Sequence, residues 1–468
     1  MRNAKICLVL AAFSLALSAC SLAPIHKQPA TPVPAAYPLP ADETAATGAA
    51  MPDWEDFIQE PHLRLLIRSA LIHNRDLRQA LLNIEAAQAQ YRIQRADRLP
   101  TVNANGALDR QRIPDALSQS GQGGVQSTYR ADIGLSAFEL DLFGRTRNLS
   151  QAALQEYLAT EQAARGVRIS LIANVSEAYV RYTAAQTRIA LTSQTLEARE
   201  TSLELIRLRL GVGTAGEVDL QESISLVEQA TTELLRTQRE SEQARNALQL
   251  LVGENALGAT LTPASIQGAL FQNVPAGLPS ELLTRRPDVV AAEHRIRARN
   301  ADIGAARAAF FPRITLTGSL GSASPELSDL FSSGTRAWQF LPQITLPIFA
   351  AGRNRANLDL AQIRKESSIV EFEKTIQIAF TEVADALVAR STLQQQMASQ
   401  SRLVASSEQT LRLAELRYRG GVDSHLRYLD AKRQDFSNRL ALLDTWSALQ
   451  GSRIGLYKAL GGDEGRLR

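Results

Sequence analysis

The chain has 468 residues, which is enough for two or three ordinary domains. Its formal net charge of +3 is too small a basic excess for nucleic-acid binding. Beyond residue 19, no apolar run approaches the roughly 20 residues that a membrane-spanning helix needs. Arg2 and Lys5 precede an apolar run that ends in Leu17-Ser18-Ala19-Cys20. This pattern predicts a signal peptide over 1–19, with Cys20 as the acylated first residue of a bacterial lipoprotein. The alternative is ordinary secretion with an accidental cysteine.

The next segments show an extended arm followed by helices. Residues 20–52 are rich in proline and alanine, which predicts a lipid-anchored extended arm rather than a domain. Helices are predicted over 63–98, where Pro100 ends the helical pattern, and a matching helix is predicted over 287–310.

Four short segments alternate apolar and polar residues, which is typical of strands with one apolar face. They lie at 101–112, 128–142, 312–322 and 336–348, and loops rich in Gly and Ser join them in pairs as hairpins. Either the hairpins are half-buried on a soluble core, or their apolar face meets lipid. No further layer of sequence remains to cover them, which favours lipid. Because four strands cannot close a barrel, and open edges in lipid are costly, several chains would have to share one barrel.

Two stretches lack the usual helix breakers over unusual lengths. From Arg353 to Arg419 there is no glycine or proline, and apolar residues recur at nearly every seventh position, which is typical of a coiled-coil seam. A second helical arm follows, so long helical hairpins are predicted over 144–253 and 352–461. Glycine readily takes the left-handed conformation that ends helices, so the hairpin elbows are assigned to the following glycines. They are Gly211, Gly213, Gly216, Gly420 and Gly421.

The hairpins are part of a larger tandem repeat. The second lies 208 positions after the first without a gap, and the preceding helix and strand repeat at a displacement of 212. The mature chain is therefore predicted to contain two copies of one plan. The first copy is 53–253, an equatorial linker covers 254–286, the second copy is 287–461, and a C-terminal tail covers 462–468.

The residues offer no catalytic or metal site. Residues Gly211 to Gly216 spell the dinucleotide-binding pattern G-x-G-x-x-G, but that motif requires a preceding strand, and here a long helix precedes it. The histidines are scattered rather than clustered, and no nucleophile can be matched with a base. The chain is therefore predicted not to be an enzyme and to need no cofactor or metal.

Several motifs together resemble those of a known family. LPSELLTRRPD (278–288), AARAAFFP (305–312), ELDLFG (139–144) and LPIFAAGR (346–353) are similar to those of the outer-membrane lipoproteins of tripartite, RND-type efflux systems. These proteins form the NodT-type branch of the TolC-like outer membrane factors. The resemblance covers nearly the whole mature chain.

The resemblance implies a membrane α+β fold built as a homotrimer. Three chains would form a 12-stranded transmembrane β-barrel continued by a 12-helix periplasmic α-barrel. An equatorial belt would come from segments near 53–72, 254–286 and the C-terminus. The implied partners are a periplasmic adaptor protein, an inner-membrane RND-type pump and outer-membrane lipid.

The resemblance also implies a gate at the periplasmic tip. Leu426 and Asp430, with Arg433 one turn later, match positions that face the threefold axis and narrow the closed duct. The other interpretation is that Leu426 belongs to the seam and that Asp430 is solvated beside Arg433. Positions that latch neighbouring hairpins are matched by Asp219, Arg417 and Tyr418. The chain has Arg427 where some members have an acidic residue. Whether the closed duct has a second acidic ring is therefore left undecided.

The implied function is an outer-membrane exit duct that passively conducts drugs or other toxic small molecules. The same scaffold also serves protein export in type I secretion systems, and a non-conducting coiled-coil spacer is a third possibility. The lipoprotein signal and the LPSELLTRRPD motif favour efflux.

Overall fold

The computed structural model of the chain describes residues 21–34, 36–37, 51–117, 123–253, 261–266, 268–274 and 286–462. The predicted signal peptide, Cys20, and most of the predicted linker 254–286 and tail 462–468 lie outside these residues.

Helices and strands alternate in the order that the repeat predicts. Their bounds are α1 Trp54–Phe57, α2 Pro61–His73, α3 Arg75–Ala96, β1 Val102–Ile113, β2 Gly124–Leu140, α4 Arg145–Gly211, α5 Glu217–Val252, α6 Pro287–Ala308, β3 Arg313–Ser324, β4 Arg336–Thr345, α7 Arg353–Arg419 and α8 His425–Ala459. Each helix in the described part of the chain is too short or too polar to cross a membrane.

The chain forms two compact units. The first, called the sheet unit, comprises Ile84–Thr160 and Ala292–Phe372 with the segment up to Pro29. The second, called the hairpin unit, comprises Ala30–Asn83, Glu161–Ala291 and Glu373–Arg468. Each unit takes segments from both sequence repeats, so the compact units do not coincide with the repeats.

The sheet unit contains one antiparallel sheet with the strand order β1-β2-β3-β4. The predicted hairpins are β1–β2 and β3–β4, and β2 also pairs with β3. The register of β2 shifts between Leu135 and Phe138, where Ala137 has a positive φ of 53°. This is a β-bulge, in which β2 carries one extra residue relative to β3 and bends locally. Gly134 is required nearby, because a Cβ there would lie 2.3 Å from the carbonyl oxygen of Gly318.

One face of the sheet carries the apolar side chains that alternation predicts. The pairing aligns Ala104, Ile133, Leu320 and Trp338 across all four strands. Trp338 remains 76% exposed, and Ile133 and Leu320 are exposed as well. The half-buried alternative is therefore wrong for this face, because these side chains contact solvent rather than a core.

The strand ends differ from the predictions by a few residues. β2 covers Gly124–Leu140 rather than 128–142. The strand ends before Asp141 because the Asp141 carboxylate accepts hydrogen bonds from the backbone N–H groups of Thr146 and Arg147 (3.2 and 2.7 Å). Asp141 thereby caps α4. β4 ends at Thr345 rather than 348, because its partner strand begins at Arg313, opposite Thr345. β1 and β3 begin and end within two residues of the predicted 101–112 and 312–322.

The family-like motifs at 139–144 and 305–312 meet at the junction of strands and helices in the sheet unit. Glu139 accepts two hydrogen bonds from the Arg145 guanidinium, both 2.8 Å, and lies 2.7 Å from Arg313 Nε. Phe143 stacks on Phe311 with ring centroids 4.7 Å apart. Glu139, Phe143 and Phe311 of the two motifs thus form an ionic clamp and an aromatic stack with each other and with Arg145 and Arg313, which directly follow the motifs.

The backbone repeats at the displacement found in the sequence. Positive φ angles occur at Gly144 and Gly352 (75° and 80°), at Gly213 and Gly421 (76° and 70°), and at Gly253 and Gly461 (78° and 90°). Each pair is 208 positions apart. In each case glycine takes a left-handed conformation that costs other residues free energy, at a helix start, an elbow or a helix end.

The predicted helical region 63–98 consists of two helices, with Asn74 between them. The Asn74 side chain donates to the carbonyl oxygen of Leu251 (2.9 Å) and accepts from the backbone N–H of Leu77 (2.9 Å), so it caps α3 while contacting α5. The helices begin at Pro61 and end at Ala96, rather than at 63 and 98. The predicted helix 287–310 ends at Ala308.

Segments predicted to form the equatorial belt meet in the core of the hairpin unit. Phe57 stacks on Tyr457 with ring centroids 4.1 Å apart and on Phe271 at 5.2 Å. Ile58 pairs with Phe271 in an isolated β-bridge. The N-terminal segment, part of the linker and the last helix thus share one core.

Arg286 connects three parts of the hairpin unit at the end of the LPSELLTRRPD motif. Its guanidinium is 7% exposed and makes a two-point pair with Asp288 (3.1 and 2.7 Å). It also donates to Glu382 of α7 and to the carbonyl oxygen of Ala459 at the end of α8 (2.7 and 2.8 Å). The planar five-donor head of arginine suits this role, and a lysine could not reproduce it.

Candidate functional site at the hairpin tips

The predicted elbows form the tips of both hairpins. Gly213 and Gly421 provide the left-handed turn residues, Gly211 is the last residue of α4, and Gly216 is the N-cap of α5. The carboxylate of Asp219 accepts from the backbone N–H of Gly216 (3.0 Å) and so caps α5. Because a 67-residue helix precedes this G-x-G-x-x-G sequence, its surroundings are those of an elbow rather than a dinucleotide site.

Two of the predicted latch residues join the hairpins within one chain. Arg209 at the end of α4 donates to the hydroxyl of Tyr418 at the end of α7 (2.5 Å), and its guanidinium lies 5.3 Å from the centre of the Tyr418 ring. Asp219 Oδ1 at the start of α5 lies 3.9 Å from His425 Nδ1 at the start of α8. A hydrogen bond therefore connects α4 with α7, whereas Asp219 of α5 and His425 of α8 lie close together without a hydrogen bond.

Arg417 is placed differently from Asp219 and Tyr418. Its guanidinium pairs with Asp423 (2.8 and 3.1 Å), six residues further along the same elbow. Arg427 also approaches Asp423, at 3.7 Å. The hydrogen bond from Arg417 is the main cause that lowers the pKa of the Asp423 carboxyl, with a contribution from the Arg427 charge. In one chain, Arg417 thus stabilises its own elbow rather than linking two hairpins.

The predicted gate residues lie at the start of α8. Leu426 is 62% exposed, and Asp430 and Arg433 form an ion pair one helical turn apart. This pair matches the alternative interpretation of Asp430 as a solvated residue with Arg433 as its partner. The exposure of Leu426 also leaves it available to face other copies of the chain.

An aromatic cluster that was not predicted from the sequence surrounds His425. The His425 imidazole is 8% exposed, with its ring centre 5.1 Å from that of Tyr418 and 6.4 Å from that of Tyr428. Tyr418 and Tyr428 are stacked at 5.4 Å, and Lys432 Nζ lies 4.6 Å from the centre of the Tyr428 ring. The spacing of His425, Tyr428 and Lys432 places them on one face of α8, a signal that the sequence did contain.

Burial decides the ionisation of His425. Neither ring nitrogen has a hydrogen-bond partner among the described residues. Desolvation lowers the pKa of His425, the nearby Asp219 and Glu222 carboxylates raise it, and Lys432 and Arg209 lower it, with a net lowering. The imidazole is therefore predominantly neutral at neutral pH. No group of three His, Cys, Asp or Glu side chains in the described part of the chain could hold a metal ion.

Comparison with known proteins agrees with the resemblance found in the motifs. The family model for outer membrane efflux proteins matches residues 66–254 and 278–462. The outer membrane protein OprJ of Pseudomonas aeruginosa is 52% identical over 456 residues, which cover 97% of this chain and 95% of OprJ. A crystal structure of a membrane protein from Pseudomonas aeruginosa has a TM-score of 0.91 at 50% identity and covers 96% of this chain and 99% of its own.

A second solved structure represents an open channel. The open state of the Neisseria gonorrhoeae MtrE outer membrane channel has a TM-score of 0.87 at 39% identity, and the match covers 96% of this chain and 100% of MtrE. The predicted TolC-like fold and the outer-membrane location are confirmed, and the family is one of channels rather than enzymes. The chain belongs to the outer membrane efflux protein family.

Proposed function

We propose that three copies of this chain form an outer-membrane exit duct of a tripartite efflux pump, which passively conducts drugs or other toxic small molecules. One observation carries the proposal: the sheet has two open edges and an exposed apolar face. Among the described residues, β1 and β4 each pair with a single strand. If the apolar row that ends at Trp338 faces lipid, both edges need partners, and pairing β1 of one copy with β4 of the next satisfies them.

The partners follow from the way in which such a duct receives its cargo. A passive exit duct does not supply energy, so transport would depend on an inner-membrane RND-type pump. A periplasmic adaptor would join that pump to the hairpin tips. Acylated Cys20 would anchor each copy in the outer membrane. The proposed gate is formed by Leu426 and Asp430, with Arg433 beside it. The proposed latch is formed by Asp219, Tyr418 and Arg417, and within one chain Arg417 pairs with Asp423.

Two measurements test this proposal on the purified full-length chain in detergent. Native mass spectrometry is expected to give three chains in one particle, and planar bilayers are expected to show discrete ion-conducting steps. A stable monomer would contradict the shared barrel. A trimer without conductance, including under conditions that open the tip, would instead support the coiled-coil spacer.

The efflux role is tested in cells that lack the chain. Restoring it together with a matching pump and adaptor is expected to lower the intracellular concentration of a fluorescent dye and to raise drug resistance. The control omits the pump, since an exit duct alone cannot drive export. If cells that lack the chain fail to secrete a protein but are as drug-resistant as cells that contain it, the type I secretion alternative is favoured.

A further inference from the structure

A cavity with an excess of positive charge lies between α4, α7 and α8 in the hairpin unit. Four ionisable side chains line it: Arg199 of α4, and Lys432, Asp435 and Arg439 of α8. The apolar part of the wall includes Leu191, Leu411 and Phe436. The cavity therefore lies where the first hairpin meets the second.

Arg199 is buried without a carboxylate partner. It is 5% exposed, its Nη1 donates to the carbonyl oxygen of Leu226 (2.6 Å), and its guanidinium lies 5.3 Å from the centre of the Phe436 ring. The Nε–H is buried and has no hydrogen-bond partner among the described residues. The acceptor of the Nη1 hydrogen bond is a neutral carbonyl oxygen, so no described carboxylate balances the positive charge of Arg199.

Lys432 is the second cation without a carboxylate partner. Its ammonium lies 4.6 Å from the centre of the Tyr428 ring, and no described carboxylate forms an ion pair with it. Burial lowers the pKa of Lys432, Glu415 raises it, and the neighbouring Arg199 charge lowers it. Glu415 itself pairs with Arg419 (2.6 Å). A cation–π contact alone is weak compensation for a partly desolvated ammonium.

The carboxylate in the cavity wall is already engaged. Asp435 accepts from Ser407 Oγ (2.9 Å) and from Arg439 Nε (2.7 Å), and Arg439 also pairs with Glu408. Asp435 and Glu408 therefore both pair with Arg439, whereas no described carboxylate pairs with Arg199 or Lys432. An added anion would gain from both cations in a site with a low local dielectric constant.

We propose that this cavity binds a small oxyanion, of the size of phosphate or sulfate, held by the guanidinium of Arg199 and the ammonium of Lys432. The anion would bridge α4 of the first hairpin and α8 of the second. Its binding would therefore stabilise the contact between the hairpins, since a ligand that binds only the folded arrangement favours it by mass action. This inference does not depend on the transport role.

Isothermal titration calorimetry of the full chain in detergent with inorganic phosphate, at pH 7 and low ionic strength, tests the site. One phosphate is expected per chain. Lys432→Met, which keeps the length of the side chain and removes the charge, is expected to weaken binding at least tenfold. Lys374→Met is the matched control, because Lys374 is an exposed lysine on α7, and it is expected to leave affinity unchanged.

Two outcomes overturn the proposal. One is the absence of phosphate binding to the wild-type chain, and the other is equal affinity in the wild type and in Lys432→Met. Circular dichroism checks that each variant keeps its helical content. If Lys432→Met does not fold, Lys432→Gln takes its place with the same expected loss. Titration with chloride at matched ionic strength separates oxyanion binding from general screening.

Discussion

The guanidinium of Arg209, at the end of the first hairpin's long helix, donates to the hydroxyl of Tyr418 at the end of the second (2.5 Å). The donor is charged and the same guanidinium also contacts the ring face, so the contact combines a hydrogen bond with a cation–π interaction. It joins two helices that are 208 residues apart and end at equivalent elbows. The contact links the two hairpins within one chain, and its role as a gate latch stays a prediction.

Tyr418→Phe removes the hydroxyl acceptor and keeps the ring, so it tests the hydrogen bond alone. We expect a higher open probability in planar bilayers, by a few-fold, because an exposed charge-assisted hydrogen bond contributes about 1 kcal/mol. Tyr91→Phe, on α3, is the control. Unchanged gating in Tyr418→Phe would restrict the role of Tyr418 to its stacking on Tyr428.

A pH dependence follows from the burial of His425. Its pKa is lowered in the folded chain from an ordinary value of 6.5, mainly by desolvation, so the unfolded chain binds the proton more readily. The contribution of the neutral His425 imidazole to the free energy of unfolding is thus fully present above pH 6.5. It is lost as the pH falls through the lowered pKa of His425 in the folded chain. The groups that face the imidazole are Asp219, Glu222, Arg209, Lys432, Tyr418 and Tyr428.

Between pH 7.5 and 5, we therefore expect the melting temperature of the wild-type chain to fall more steeply than that of His425→Gln. Circular dichroism melts at each pH measure the difference. His62→Gln, an exposed histidine in α2, is expected to follow the wild type. If the melting temperatures of the wild type and His425→Gln fall in parallel with pH, the Asp219 and Glu222 carboxylates offset the effect of burial on the pKa of His425.

The buried Arg286 predicts a stability effect far from the tips. Arg286→Met leaves Asp288 and Glu382 without their cation and the carbonyl oxygen of Ala459 without this donor. Because both carboxylates are about half exposed (48% and 50%), we expect a loss of about 2 kcal/mol rather than the 3–5 kcal/mol of a fully buried pair.

Thermal melts of the purified chain measure this loss, and Arg286→Lys is expected to recover only part of it, since an ammonium cannot make the two-point pair. Arg207→Met is the control, because Arg207 is exposed on α4. If Arg286→Met melts at the same temperature as the wild type, the contacts of Arg286 do not contribute measurably to stability.

The patterns with strong periodicity predicted the fold well. The long helices, the four strands and the elbow glycines depend on local preferences that a sequence displays directly, and the repeat supplied each of them twice. The strand ends were less predictable, because the side chain of Asp141 and the pairing limit at Arg313 decide them. Both are contacts that form only when the sheet and helices come together.

The candidate site was predicted only in part for the same reason. Asp219 and Tyr418 were matched through the family resemblance, but their partners Arg209 and His425 come from distant positions that no local pattern connects. Arg417 was matched as a third latch residue; within one chain it pairs with Asp423 of the same elbow, and its contact with a neighbouring hairpin stays a prediction. His425 was considered in the sequence only as a possible metal ligand and was rejected as one, and its aromatic environment was not predicted.

The anchoring of the chain gives a prediction that depends on the sequence pattern at residues 17–20. Cys20→Ala is expected to abolish incorporation of labelled palmitate, because the acylated thiol is removed. Autoradiography of the immunoprecipitated chain measures the label. Cys7→Ala is the control, since Cys7 lies within the predicted signal peptide. Full labelling of Cys20→Ala would end the lipoprotein interpretation.

The last prediction concerns the proposed gate. Leu426 and Asp430 are four residues apart and so share one face of α8, and Leu426 is 62% exposed in the single chain. If three copies bring this face to a common axis, the three Leu426 side chains narrow the duct and the three Asp430 carboxylates attract cations. Leu426→Ala combined with Asp430→Ala then widens the tip and removes the ring of negative charge. We expect at least twofold higher conductance in planar bilayers, weaker cation selectivity, and entry of large antibiotics such as vancomycin into cells. Leu235→Ala with Glu228→Ala, two exposed residues on α5, is the matched control. Conductance and selectivity equal to those of the wild type would place the gate elsewhere and leave Asp430 as a solvated partner of Arg433.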